Sequence, residues 1–374
     1  MTGKNNHKKS KILFIIGTRP EILKLAILIK LLKKTSWAEV VVLVTAQHRE
    51  LLDQMLSLHN ITPDLDLNIM QDNQDLSTLT GKLFIALSDK INQIKPEIII
   101  AQGDTTTVMV ASMVAFYKHI TFAHVEAGLR SHDLRYPFPE EVNRTITGIV
   151  ADLHFAPTES DKTNLMRSGV PENKIFVVGN TIIDNLLEIS RNNIKCSLDM
   201  PDSKKIILVT LHRRENFGVP LENICKAISE IATEHKDVCF VYPVHPNPNV
   251  RSVVQEHLGN NKRIMLCNPL DYQEFVSLMT RCHFILSDSG GIQEEAPALG
   301  KPVLVTRTTT ERMETVDLGT SRLIGTEYAS VKQELQNLLL DEDLYASMSR
   351  VISPYGDGTA STQIIRVLKF FLKK

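Results

Sequence analysis

The chain is short of long apolar runs, of unbalanced charge and of patterned cysteine. No stretch of its 374 residues approaches the ~20 consecutive apolar residues that a membrane-spanning helix needs, so no membrane partner is expected. Met1 to Lys11 is polar and basic, and the apolar run behind it, Ile12 to Ile16, is too short for the core of a signal peptide. Lysine and arginine total 42 against 43 acidic residues, a net charge of -1. No global basic field therefore attracts nucleic acid, and an anionic nucleotide has to be met by local positive charge. The five cysteines (Cys196, Cys225, Cys239, Cys267 and Cys282) all lie in the second half and show no metal or redox spacing. They read as reduced, packed thiols of a cytoplasmic protein. There is no short repeat and no low-complexity tract. What is present, 43% hydrophobic and 23% charged residues, is the balance of a soluble globular enzyme long enough for two domains.

Short apolar runs alternate with helical patterns. Lys11–Ile16 reads as a buried strand, and Glu21–Lys34 as a helix with Ile22, Leu25, Ala26, Ile29 and Leu32 at helical spacing. Val40–Thr45, Ile98–Ala101, Thr121–Val125 and Leu153–Ala156 read as further strands, with helices from about His48 and after Thr105. A second series starts near Lys204: strand Ile206–Thr210, helix Leu221–Glu234, strand Val238–Val244, then a βαβ unit of His283–Ser287, Gly291–Leu299 and Pro302–Val305. The alternation predicts an α/β protein of two Rossmann-like domains facing a cleft. One spans 1–178 and the other 179–359, with Val178–Asp184 between them. Ligands should sit at the carboxyl ends of the strands.

The strand ends carry the chemistry. Ser287-Asp288-Ser289-Gly290-Gly291-Ile292-Gln293-Glu294-Glu295 follows a strand and opens a helix. Ser289 can cap that helix, Gly290 and Gly291 let the backbone approach a ligand, and the helix start suits a diphosphate. Glu295 could accept from ribose hydroxyls; the alternative is a capped structural helix. The stretch is neither the Gly-x-Gly-x-x-Gly fingerprint nor a Walker loop, which weakens the case for NAD or ATP. Arg19 and Lys24, after the first strand, could both contact phosphate, or be solvated surface cations. Asp104 is either an N-cap or a catalytic group. Glu126, at a strand tip ahead of Gly128, has no cap to make. Glu140 and Arg144 are four apart, the spacing of a surface helix pair. Carboxylates converging on one cleft would form a constellation for acid–base work at carbon. In the second half, His212 beside Arg213 and Arg214 could donate to phosphate or shuttle a proton. His245 ends another strand, and Arg312 lies in a loop that could close on a nucleotide.

Taken together, Gly-Thr-Arg-Pro-Glu at 17–21, Thr-Ala-Gln-His-Arg at 45–49, Gly-Asp-Thr-Thr-Thr at 103–107, His-Val-Glu-Ala-Gly-Leu-Arg at 124–130, Pro-Glu-Glu at 139–141, Asp-Ser-Gly-Gly-Ile-Gln-Glu-Glu at 288–295 and Pro-Tyr-Gly-Asp-Gly at 354–358 resemble the non-hydrolysing UDP-N-acetylglucosamine 2-epimerases. The resemblance implies a glycosyltransferase-B-like fold, usually a homodimer, with a C-terminal helix at about 360–374 returning to the first domain. It implies an isomerase that needs no metal or other cofactor and makes UDP-N-acetylmannosamine for polysaccharide biosynthesis. A base removes the C2 proton as UDP leaves C1, and UDP adds back to 2-acetamidoglucal. Asp104, Glu126 and Glu140 match the acid–base group. Arg19, Lys24, His212, Ser289, Gly290, Gly291, Glu295 and Arg312 match nucleotide-sugar or phosphate contacts, with Arg144 beside them, and Phe275 matches a residue at the uracil. Leu211 stands where many relatives have Gly. Gln47, His48 and His245 match an activating second site of some relatives, but Glu50 and Asn73 replace a Gln and an Arg there, which should weaken it. The rivals are a hydrolysing epimerase that releases N-acetylmannosamine, a retaining glycosyltransferase and a non-catalytic sugar-nucleotide sensor.

Overall fold

The computed structural model describes residues 9–45, 49–69, 74–192, 194, 196–200 and 205–373, the side chains of 49–51 excepted. Gln47, His48 and Asn73 lie outside the described residues. The chain divides into two compact units: 1–185 with 355–374, and 186–354.

The first unit is built on seven parallel strands: β1 (Ser10–Ile16), β2 (Ala38–Val44), β3 (Leu65–Asp66), β4 (Ile98–Gln102), β5 (Thr121–Val125), β6 (Leu153–Ala156) and β7 (Ile175–Val177). Their order across the sheet is β3-β2-β1-β4-β5-β6-β7. Ile12 to Ile16 and Ile98 to Ala101 are fully buried, as the strands of a sheet covered on both faces must be. β1 pairs with β2 on one side and β4 on the other, Ile12 standing opposite both Val40 and Ile98. The chain therefore turns back on itself at the β1/β4 pair, the crevice where doubly wound sheets bind ligands. The helix after β1 runs Arg19–Lys33 and buries Ile22, Leu25, Ala26, Ile29 and Leu32 on the sheet.

The second unit repeats the plan with β8 (Lys205–Thr210), β9 (Val238–Pro243), β10 (Ile264–Cys267), β11 (Phe284–Ser287), β12 (Val303–Val305) and β13 (Ser321–Leu323), all parallel, in the order β10-β9-β8-β11-β12-β13. Its turning point is the β8/β11 pair, where Thr210 faces Ser287. Four strands absent from the sequence pattern, β3, β7, β10 and β13, are the edge strands of the two sheets, two to four residues long. They are too short to show a period.

The stretch 178–184 is not a free linker. Gly179 has a φ of +89° and packs against the 355–356 backbone, where a Cβ would lie 3.0 Å from the Tyr355 carbonyl oxygen. The chain then enters the helix Thr181–Arg191. Asp184 on that helix accepts from the backbone N–H of Ala360 at 3.1 Å and of Ser361 at 2.6 Å, capping the last helix, Ala360–Phe371. Among the described residues no helix is long and apolar enough to cross a membrane.

Candidate functional site

In the first unit the turning point carries carboxylates with assigned partners. Glu126 directly follows β5 with a φ of +61°, a left-handed conformation uncommon for a residue with a side chain. It delivers the carboxylate to Lys24, whose Nζ lies 2.5 Å and 2.6 Å from the two oxygens. Asn180 Nδ2 donates to Oε1 at 3.0 Å, and Gln102 Nε2 donates to Oε2. Lys24 is therefore neither a solvated cation nor free of acid; it is the ion-pair partner of Glu126.

Asp104 is not an N-cap. Thr105 holds that position for the helix Thr106–Tyr117 and accepts from Val108 N–H. The Asp104 carboxylate instead takes Arg144 Nη2 at 2.5 Å, and its backbone carbonyl takes Asn143 Nδ2 at 2.9 Å. Burial raises its pKa; the Arg144 guanidinium opposes the shift, the Glu126 charge adds to it, and Lys24 opposes it. Arg144 does not pair with Glu140 at the i,i+4 spacing. Its second nitrogen lies 3.2 Å from Glu141, a buried carboxylate that also accepts from the N–H groups of Ser131 and His132. Glu140 opens the helix Glu140–Val150 half-buried, with its carboxylate uncommitted among the described residues. Arg19 is the first residue of its helix and half-buried. His124 is buried below this group; its Nε2 meets the Gly103 carbonyl at 2.7 Å, and burial pushes its pKa down to about 4.

In the second unit the turning point gathers cations and hydroxyls. Asp288, fully buried after β11, accepts from the backbone N–H groups of His212 and Arg213 and from Asn216 Nδ2 at 2.9–3.1 Å. The loop after β8 is thereby held against β11. His212 stacks on His245, with ring centroids 6.1 Å apart, and burial lowers its pKa against the pull of Asp288. Ser289 occupies the N-cap position of the helix Gly290–Glu295, but its hydroxyl makes no capping bond, contrary to expectation. The Arg312 guanidinium packs over Gly290: a Cβ there would lie 2.9 Å from its carbon, so any side chain would displace it. Arg312 lies over that glycine and is anchored by Glu294 at 2.7 and 2.9 Å. Glu295 accepts the Tyr272 hydroxyl at 2.7 Å, and Phe275 is half-buried on the same helix, Tyr272–Arg281.

The sequence reading overlooked the supports of this site: Gln102, Asn180, Asn143, Glu141, Asp288, Glu294 and Tyr272. Gln102 and Asp288 had a signal, since both are polar residues at strand ends beside motif residues.

A family model, UDP-N-acetylglucosamine 2-epimerase, matches residues 30–369. The chain belongs to that family. This epimerase is 50% identical over 370 residues to the UDP-N-acetylglucosamine 2-epimerase of Escherichia coli K12, covering 96% of this chain and 98% of the relative. It is 48% identical over 364 residues to that of Bacillus subtilis 168, covering 97% and 96%. The crystal structure of the Neisseria meningitidis UDP-GlcNAc 2-epimerase bound to UDP-GlcNAc superimposes with a TM-score of 0.86 at 44% identity, over 97% of this chain and all of the other. Among the described residues of this epimerase no group of three or more His, Cys, Asp or Glu side chains is placed to hold a metal ion.

Proposed function

We propose that the chain converts UDP-N-acetylglucosamine into UDP-N-acetylmannosamine by elimination and re-addition of UDP, the non-hydrolysing course. The observation that carries this reading is the pairing of two carboxylates in unlike settings. Glu126 accepts from Lys24, Gln102 and Asn180, a set of donors that suits an anion. Burial raises the pKa of Asp104, and the Glu126 charge adds to the shift while Arg144 opposes it. Unlike environments for neighbouring acids are how a site keeps one proton acceptor and one proton donor at the same pH. On this reading the half-buried Glu140 is the third acid–base group, and one carboxylate takes the proton from C2 on one face while another returns one on the other. As the C2–H bond breaks, its electron pair forms the C1–C2 double bond and the C1–O bond cleaves to release UDP. Re-addition reverses the electron flow, with the proton arriving on the opposite face.

The C2 proton is weakly acidic, so stabilising the departing diphosphate matters as much as the base. Arg19, His212, Ser289, Gly290, Gly291 and Arg312 are assigned to the diphosphate. Ser289 supports this assignment because its hydroxyl is not spent on a cap. Glu295 and Tyr272 are assigned to the ribose and Phe275 to the uracil. A homodimer and a cytoplasmic location belong to the same reading. The free thiols support the latter, with Cys225 and Cys282 pushed up to about 12 by burial.

Incubation with UDP-N-acetylglucosamine alone in deuterated water tests it. The expected product is UDP-N-acetylmannosamine carrying deuterium at C2, read by NMR. Stoichiometric free UDP and N-acetylmannosamine would assign the chain to the hydrolysing class. Product without deuterium at C2 would rule out proton abstraction.

A further inference from the structure

Glu21 has no part in the chemistry proposed above, yet it is buried to 1% exposure at the turning point of the first sheet. One of its oxygens accepts from the backbone N–H groups of Gly17 and Thr18, the latter at 3.1 Å. The other accepts the Thr105 hydroxyl at 2.7 Å. A glutamate at the third position of a helix ordinarily closes a capping box within its own turn. This one also reaches a segment distant in sequence. The two segments it joins are the tips of β1 and β4. Gly17 and Thr18 form the turn that delivers Arg19, and Thr105 directly follows Asp104.

A second contact fastens the same tips. A Cβ on Gly17 would lie 2.7 Å from Thr107 Oγ1 and 3.1 Å from Thr45 Oγ1, and those two hydroxyls are themselves bonded at 3.2 Å. The β1 turn thus rests directly on the first turn of the helix after β4, with no room for even a methyl group. Burial drives the Glu21 carboxyl up to about 7 despite the hydrogen bonds that pull it down. Holding a carboxylate there opposes folding at neutral pH, and an exposed cap would carry no such cost.

We infer that Glu21 is a positioning residue: through Thr105 it fixes the separation between the Arg19 turn and Asp104. The inference rests on the proposed function, in which Arg19 serves the diphosphate and Asp104 the proton on one substrate molecule. C1 and C2 are adjacent carbons, so leaving-group departure and proton transfer have to be held in register. A misplacement of about 1 Å costs on the order of 10²-fold in rate.

Thr105→Val keeps the shape of the side chain and cuts the bridge; Thr105→Ser keeps the hydroxyl. In the full chain, Thr105→Val should lower kcat about 10- to 100-fold while KM for UDP-N-acetylglucosamine moves by less than about threefold, and Thr105→Ser should restore turnover. Glu21→Met, which removes both side-chain oxygens, should show the same split. The double variant Glu21→Met/Thr105→Val should be no slower than Glu21→Met alone, since Thr105 then has no carboxylate left to bridge to. Thr105 also caps its own helix, so Thr105→Val lowers Tm in any case. Wild-type kcat at 25 °C with only Tm reduced would overturn the inference, as would losses that multiply in the double variant. Asp104→Asn, measured alongside, separates the two claims. If it is slow while Thr105→Val is fast, only the positioning role falls. If Asp104→Asn itself turns over normally, the catalytic assignment fails first.

Discussion

The two units share a strand order and differ in what they place at its turning point. At the tips of β1, β4 and β5 stand Glu21, Asp104 and Glu126, each tied to a donor of its own. At the tips of β8 and β11 the fully buried Asp288 is spent on holding a loop, beside His212, Ser289 and the Arg312 that the buried Glu294 anchors. A doubly wound sheet offers the same empty crevice each time, so the residue types at the strand tips decide the task. On the proposed function, the first unit supplies the proton-transfer groups together with Arg19, and the second supplies most of the contacts to the leaving diphosphate.

The largest expected effect tests the first half of that contrast. Asp104→Asn, Glu126→Gln and Glu140→Gln should each lower kcat by about 10²–10⁴-fold, the usual span for acid–base groups, with UDP still bound in calorimetric titration. Near-wild-type turnover in all three variants would dissolve the distinction between the units.

Next in size is the nucleotide end. Arg312→Ala and Glu295→Ala should weaken UDP binding by about 1.5–3 kcal/mol each, roughly ten- to a hundred-fold in Kd. Asp104→Asn should leave UDP affinity unchanged. Equal losses across all three variants would mean general unfolding or a misplaced site.

A stability measurement sharpens the comparison further. His124 and His154, both in the first unit, are buried with pKa values pushed down to about 4 and about 3. The unfolded chain takes up protons near pH 6.5 and the folded one does not, so this stability is present above pH 6.5 and is lost as pH falls toward 4. Between pH 7 and 5 the loss is about 2 kcal/mol for each group. In urea titrations at the two pH values, His154→Leu should flatten the dependence by about that amount; an unchanged slope would contradict a neutral, buried His154. The smallest effect concerns regulation. With Glu50 and Asn73 in place of a Gln and an Arg, initial rates should follow substrate hyperbolically, and a sigmoidal curve would restore the second site.

The sequence made the long strands legible because parallel strands buried on both faces read as unbroken apolar runs, and because most of the motifs sit where such a run stops. Side-chain pairing was not legible in the same way. The i,i+4 rule coupled Arg144 to Glu140, but a helix spacing cannot weigh a partner on another strand tip, and Asp104 and Glu141 take the guanidinium. Lys24 reads in sequence as a phosphate contact or a solvated cation, and its pairing with Glu126 is not legible because Glu126 is far along the chain. Ser289 fitted a capping rule that its hydroxyl does not follow.

The Asp184 cap on the last helix bears on the order of assembly. Residues 186–354 form one uninterrupted unit, whereas the first unit is completed only by 355–374. During synthesis the later-made domain can therefore finish folding while the earlier one still waits for its closing helix. A chain released before Ala360 would carry the whole of the second unit and a first unit in which Asp184 has lost the N–H groups of Ala360 and Ser361. Quality control by proteases should then strike the half of the molecule that was made first.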